Sequence, residues 1–249
     1  MRTIAIISSK GGTGKTTTSV NLAHGLAMLG KNVLLIDSDP QDTIAVMFNI
    51  NPHNTLCDLL LKKTTSIIKV RERLHVITSG GVRLAETELK LSGKFSREYK
   101  LKKNLSNLDG VDYVICDCAP SINLINTNVL CFCDEVIIPI SMDFLSQIGA
   151  NQVLGIIEQT KKKLNKNLQI LGVLPVFYNE SRKISIETVE ILKDFFQDKL
   201  FKTYIRDDKY LREAPSFMKT IFEYHPDSPG AEDYMKLAQE VDSRQIISY

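Results

Sequence analysis

The residues with the most chemical potential in this chain are consecutive: Ser9-Lys10-Gly11-Gly12-Thr13-Gly14-Lys15-Thr16-Thr17. Closely spaced glycines let a backbone turn so that successive N–H groups converge on one centre, the arrangement that surrounds phosphate oxygens. The apolar run Ile4-Ala5-Ile6-Ile7 precedes the turn, and Val20, Leu22, Ala23, Leu26, Ala27 and Leu29 follow it at helical spacing. A strand, a glycine turn and a helix start are therefore expected, with the helix N-terminus favouring negative charge. In that context Lys15 reaches terminal phosphates and the Thr16 hydroxyl ligates Mg²⁺.

Acids follow two other apolar runs. Val33-Leu34-Leu35-Ile36 leads to Asp37-Ser38-Asp39-Pro40-Gln41, and Val111–Cys116 leads to Asp117-Cys118-Ala119-Pro120-Ser121. Ligands of doubly wound sheets gather at the carboxyl ends of strands, so these acids face the phosphates. An acid ending an apolar strand is the second element of a phosphate-loop Mg²⁺ site, usually acting through water, and Asp117 takes that role. Asp39 either serves this phosphate site or caps the turn before Pro40; Asp37 holds the loop.

Elements that would position these groups alternate along the chain. Strands are expected at Val33–Ile36, Leu74–Ile77, Val111–Cys116, Glu135–Ile140 and Gln169–Leu174, with a short one near Leu200–Tyr204. Helical periodicity marks 144–163, 184–198 and 230–242, while 79–108 reads as a helix and a mobile connection. Continuous apolar strands alternating with helices argue a single-domain α/β fold over 1–249, with a doubly wound, mostly parallel sheet covered on both faces. The 249 residues suffice for one such domain, and 43% hydrophobic with 24% charged residues is ordinary for a soluble globular protein.

The turn departs from the usual phosphate loop. Ser9 stands where a glycine is customary, and a second lysine, Lys10, opens the loop. This resembles the deviant phosphate loop of the ParA/MinD ATPases, a family that includes the ParA/Soj-type partition proteins and the nitrogenase iron protein. Asp-x-Asp-Pro-Gln resembles the family's first switch. Asp117-Cys118-Ala119-Pro120 resembles its second switch, although the family's usual Asp-x-Pro-Pro has lost one proline here. The segment from Pro175 to Arg182 is similar to a strand followed by Asp-x-Arg, with Asn179 replacing the acid. The stretch Ile205–Ser216 is similar to the family's loop around adenine, with Arg206-Asp207-Asp208 where many relatives have Pro-x-Asn. The resemblance covers roughly 1–48, 111–150 and 170–242.

What the resemblance implies is specific. ATP and Mg²⁺ are the cofactors, and two copies sandwich the nucleotides with Lys10 crossing to the partner's ATP. Lys10, Lys15 and Asp39 carry catalysis. Lys10, Gly11, Gly12, Thr13, Gly14, Lys15, Thr16 and Thr17 bind nucleotide, and Thr16, Asp39 and Asp117 surround the metal. Asp208 accepts from the adenine amino group and Arg206 stacks on the ring, or both belong to a plain surface loop. The dimer binds DNA nonspecifically, and a ParB-like centromere-binding partner accelerates hydrolysis and releases DNA.

Charge is compatible with that function. The net charge is +2, but residues 161–220 hold 13 Lys/Arg against 8 Asp/Glu. Arg182, Lys183, Lys209, Arg212 and Lys219 are the candidate DNA contacts, the alternative being a solvated mixed-charge face. The five cysteines fit a reducing cytoplasm, and Cys116, Cys118, Cys131 and Cys133 lack zinc spacing. His24, His53, His75 and His225 are scattered. No apolar run approaches a membrane span, the start is not a signal peptide, and no room precedes the loop for a helix-turn-helix. The tail from Ala238 to Tyr249 carries too little positive charge for a MinD-like membrane helix. A cluster-bridging redox ATPase would need two dedicated cysteines. A ParA-like ATPase that positions a protein cargo on the nucleoid remains the open alternative to DNA partition.

Overall fold

A computed structural model describes residues 1–121 and 123–244, with the backbone alone at 62 and 144–148. Its strands are β1 (Arg2–Ile6), β2 (Val33–Asp37), β3 (Ile68–Arg71), β4 (Leu74–Ile77), β5 (Tyr113–Asp117), β6 (Glu135–Ser141), β7 (Gln169–Tyr178) and β8 (Ile205–Arg206). They form one sheet in the order β3-β4-β2-β5-β1-β6-β7-β8. All neighbours are parallel except β3 and β4. The helices are α1 (Lys15–Met28), α2 (Thr43–Phe48), α3 (Leu56–Lys62), α4 (Arg83–Ser92), α5 (Lys100–Asn104), α6 (Leu124–Phe132), α7 (Phe144–Lys163), α8 (Lys183–Phe196), α9 (Lys209–Glu213), α10 (Ile221–Tyr224) and α11 (Pro229–Ser243).

Alternate residues of each central strand enter opposite cores, the period-two consequence of a strand buried on both faces. Ile4, Ile6, Val33, Leu35 and Ile115 join the layer of α1 and α11, where Leu22, Leu26, Tyr234 and Leu237 lie. Ala5, Leu34, Ile36, Val114 and Cys116 join the opposite layer, with Leu59, Val129, Val153 and Leu192 from α3, α6, α7 and α8. Full burial of such side chains is worth roughly 1.5–3 kcal/mol each.

Helix starts follow local chemistry. Ser228 caps α11 by accepting from Ala231 N, with Pro229 at the first helical position, where its missing N–H costs nothing. Thr55 and Asp58 form a capping box on α3.

The structure departs from the sequence reading in four places. β3 was not expected: Ile68-Lys69-Val70-Arg71 is a short edge strand, half-exposed, with charges at alternate positions, and it lacks the continuous apolar signal of its neighbours. β7 runs on through Pro175 to Tyr178. The last strand lies at Ile205–Arg206, and Leu200 contributes only an isolated bridge to Val173. The segment 79–108 forms two helices, α4 and α5, separated by a short 3-10 turn at Arg97–Tyr99. Among the described residues, no helix is long and apolar enough to cross a membrane. The end of the tail, residues 245–249, lies outside the described residues.

Candidate functional site

Strand register assembles the site. Ile6 of β1 and Asp37 of β2 both lie level with Asp117 of β5. The loop that leaves β1 therefore opens beside both acidic strand ends. Ser38 binds the two strands together, its N–H and Oγ donating to the Asp117 carbonyl at 3.0 and 2.6 Å.

The glycine turn is wound around a single carbonyl. Lys10 O accepts from Lys15 Nζ at 3.0 Å and from one of the Ser8 and Thr13 hydroxyls, whose oxygens lie 3.1 and 3.3 Å away. The Ser8 and Thr13 hydroxyls bond to each other at 2.5 Å. Gly14 has φ 73°, a left-handed conformation that suits glycine, and its missing side chain leaves the first turn of α1 without a side-chain cap. Uncapped N–H groups at a helix start are available as donors to an anion. With its carbonyl held in the turn, Lys10 sends its amine outward to Asp143 Oδ1 at 3.0 Å, just before α7. Ser9 Oγ also reaches α7, donating to Gly149 O at 3.0 Å.

Burial sets the electrostatics. The Lys15 ammonium is depressed by burial, opposed by the charges of Asp117, Cys118 and Asp39. Asp37 is fully buried, and burial followed by the neighbouring Asp117 pushes its carboxyl well up. Its oxygens accept from Asp39 N at 2.9 Å and Ile44 N at 3.2 Å, so Asp37 shapes the first switch from within. Asp39 Oδ1 accepts from Gln41 N at 2.9 Å, forming a turn ahead of α2. Burial pushes Asp117 up to about 6 against the pull of the Thr16 and Ser19 hydroxyls and Lys15.

The residues present fit a divalent cation. Asp117 Oδ1 accepts from Ser19 Oγ at 2.8 Å; the Thr16 hydroxyl also faces the carboxylate, and the buried Oδ2 makes no fully formed hydrogen bond. A buried carboxylate oxygen left unpaired is costly and calls for a cation or an ordered water. Hard oxygen donors from Thr16, Asp117 and Asp39 suit Mg²⁺, which keeps much of its water and takes few protein ligands. Among the described residues no three His, Cys, Asp or Glu side chains are grouped to hold a metal by themselves. Cys116, Cys118, Cys131 and Cys133 are buried in the core, and burial pushes the thiols of Cys118, Cys131 and Cys133 upward.

The residues expected around adenine are engaged differently. Arg206 makes a bidentate contact with Asp233 through Nε and Nη2 and pairs with Glu232 Oε2 at 2.6 Å. Its guanidinium thus fastens β8 to α11, because a planar fork matches two facing carboxylates better than an open ring site. Asp208 accepts from Tyr210 N at 3.0 Å and Gly230 N at 2.9 Å, so it caps α9 and holds the start of α11 instead of presenting a free acceptor.

Of the expected DNA contacts, Arg182 and Arg212 converge on Asp207 from opposite sides, the former at 3.6 Å. Lys183 pairs with Glu187 at 3.3 Å, Lys209 lies over the Tyr210 ring, and Lys219 is exposed near α10.

Sequence reasoning missed three contributors. Asp42 accepts from Ser79 N at 3.0 Å and Ser79 Oγ at 2.9 Å, which ties the first switch to the end of β4. The Ser79-Gly80-Gly81 sequence after an apolar strand was the available signal. Asp143 and Asn126, the latter on α6 and bonded to the second switch, gave none.

Residues 1–170 match a protein family described as AAA domain. The chain is 40% identical over 246 residues to the sporulation initiation inhibitor protein Soj of Bacillus subtilis, covering 96% of this chain and 97% of Soj. It is 32% identical over 254 residues to the chromosome partitioning protein ParA of Caulobacter vibrioides, covering 98% and 95% respectively. The crystal structure of cobyrinic acid a,c-diamide synthase from Mycobacterium smegmatis with bound ADP and magnesium superposes with a TM-score of 0.82. It is 28% identical and covers 96% of this chain and 93% of that one.

Proposed function

The chain belongs to the ParA/Soj family of partition ATPases with the deviant phosphate loop, and on that premise we propose that it partitions DNA through an ATP-sandwich dimer. ATP with Mg²⁺ occupies the turn at Gly11–Thr17. Two copies close over two nucleotides, and each Lys10 reaches the partner's phosphates. The dimer binds DNA without reading sequence, and a ParB-like partner accelerates hydrolysis and so releases it, in the cytoplasm at the nucleoid.

One observation carries this reading. The Lys10 carbonyl is held inside the loop by Lys15 and a hydroxyl, while its amine reaches out of the loop to Asp143. A lysine that served only its own nucleotide would be turned inward, as Lys15 is. The remaining roles follow from placement. Lys15 neutralises the terminal phosphates. Thr16 and Asp117 hold Mg²⁺, which supplies charge stabilisation on the phosphate oxygens. Asp39 orients the attacking water, and Asp37 fixes Asp39 through its backbone N–H. Arg182, Lys183, Lys209, Arg212 and Lys219 supply the DNA-facing charge, with Asp207 holding the two arginines together.

The test is binding to DNA of random sequence with ATP, with ADP and without nucleotide, across a salt series. Binding confined to ATP, with log affinity falling linearly against log salt, supports the proposal. Equal binding in all three nucleotide states, or no binding with ATP at low salt, refutes it.

A further inference from the structure

The segment after Asp117 reads Cys118-Ala119-Pro120-Ser121, with a single proline to stiffen it. Asn126, on the first turn of α6, spans this segment from behind. Its Nδ2 donates to Ala119 O at 2.8 Å and to Ser121 O at 2.6 Å, one carbonyl on each side of Pro120. Both neighbours are acceptors, so the amide NH₂ must face them, and the orientation of the group is settled by its partners. The same orientation leaves Asn126 Oδ1 buried without a hydrogen-bond partner. The side chain thus forgoes one bond to make two with the switch, and it is only 4% exposed.

The base from which Asn126 projects is itself fixed. Asn123 caps α6, accepting from Asn126 N at 2.7 Å, and Glu88 of α4 accepts from Leu124 N at 2.6 Å. Two of the N–H groups that a helix start ordinarily leaves unpaired are therefore satisfied by side chains. Glu88, Leu124 and Asn126 connect α4 through α6 to the second switch. A small cavity of about 10 Å³, bordered by Ile7, Ser8, Ala119, Pro120 and Asn126, separates the clamp from the phosphate loop. The amide contacts of Asn126 lie on the switch backbone.

We propose that Asn126 is a positioning residue for ATP hydrolysis: its amide clamps the carbonyls of Ala119 and Ser121 and holds the second switch in the conformation that keeps Asp117 facing the phosphate loop. The inference rests on the ATPase reading of the site. Without the clamp the backbone around Pro120 regains conformational freedom, which must be lost again each time the site reaches its reactive arrangement. The loss falls on turnover and not on nucleotide capture, because the phosphate loop and Lys15 are untouched.

The experiment compares the wild-type chain with Asn126→Leu, which keeps the branched skeleton at a somewhat larger volume and removes both donors, and with Asn126→Ala. ATP turnover, ATP affinity and hydrogen exchange of the Cys118, Ala119 and Ser121 amides are measured on each. The expected result is a fall in kcat of about tenfold, KM for ATP within about threefold, and faster exchange at these amides with exchange in α7 and α11 unchanged. If Asn126→Ala unfolds, Asn126→Leu retains the packing and decides the matter. A kcat within about twofold of wild type in Asn126→Leu overturns the clamp. So does a loss of protection spread evenly over the whole sheet, which would mark a purely structural role. Failure of the wild-type chain to bind or turn over ATP strikes the ATPase reading itself, an outcome separate from either of these.

Discussion

Removing the Lys10 amine separates its two environments. In the isolated chain Lys10 pairs with Asp143 at 3.0 Å, and the two side chains are 41% and 43% exposed. Exposed pairs of this kind contribute about 0–1 kcal/mol. For a chain of this size 1 kcal/mol corresponds to roughly 2–4 °C in Tm. Lys10→Ala should therefore unfold within about 4 °C of the parent. Its monomer should bind ADP within about threefold of wild type, because the amine points away from its own loop. In the proposed dimer the same amine meets phosphate charge away from water. Truncating one member of such a pair costs about 2–5 kcal/mol, and the symmetric dimer holds two such pairs, so the dimer dissociation constant should rise about a thousandfold or more. Sedimentation velocity over a concentration series, with Mg²⁺ and a slowly hydrolysed ATP analogue, reads that constant directly. A Lys10→Ala dimer as tight as wild type would show that the lysine does not cross the interface, and the argument from the trapped carbonyl would fall with it.

Three further outcomes follow from packing and charge. Arg206→Ala leaves Asp233, whose side chain is 6% exposed, without its bidentate partner; a stability loss of about 1–3 kcal/mol in urea titration is expected, whereas a raised KM for ATP at unchanged stability would return Arg206 to the adenine site. Gly172→Ala drives a methyl into Phe201, since two further ring carbons already lie at 2.8 Å from the position a Cβ would take; differential scanning calorimetry should report a loss of about 1–3 kcal/mol, and an unchanged Tm would mean that Phe201 moves freely. Burial lowers the His24 pKa, against the charge of Glu223, and His24 Nδ1 shares a hydrogen bond with Thr220 Oγ1 at 2.7 Å. The unfolded chain therefore takes up this proton first, so His24 lends stability above its ordinary pKa near 6.5 and withdraws it as pH falls below that value. His24→Gln should flatten the dependence of urea midpoint on pH between about 7.5 and 5.5; a slope equal to wild type would place the titrating group elsewhere.

How much was legible in the sequence depended on whether a feature was local. The strands carrying Ile4–Ile6, Leu34–Ile36 and Val136–Ile140 are buried on both faces, so each announced itself as an apolar run. The glycines and Lys15 of the phosphate loop were readable for a similar reason: the turn is made within a few residues and its chemistry follows from spacing. Strand β3 was hidden because a short edge strand with one wet side has no such run. Partners set by register were not readable at all. Asp42 meets Ser79 across 37 residues, and Lys10 meets Asp143 across 133, contacts that exist only once the strand order is known. Arg206 and Asp208 were readable as residue types that suit an adenine. Their actual partners, Asp233 and Gly230, are brought to them by the packing of α11.

The two borders of the sheet bear on how the protein behaves in a crowded solution. One border is β3, four residues long, with Lys69 and Arg71 in it, and the other is β8, only two residues long. Unpaired N–H and C=O groups along a long, flat, apolar border would recruit strands from other molecules into runaway aggregates. Here one margin is charged and the other ends almost as soon as it begins. A protein proposed here to meet its own kind face to face, and then let go, has in this way been denied the chance to stick to itself side by side.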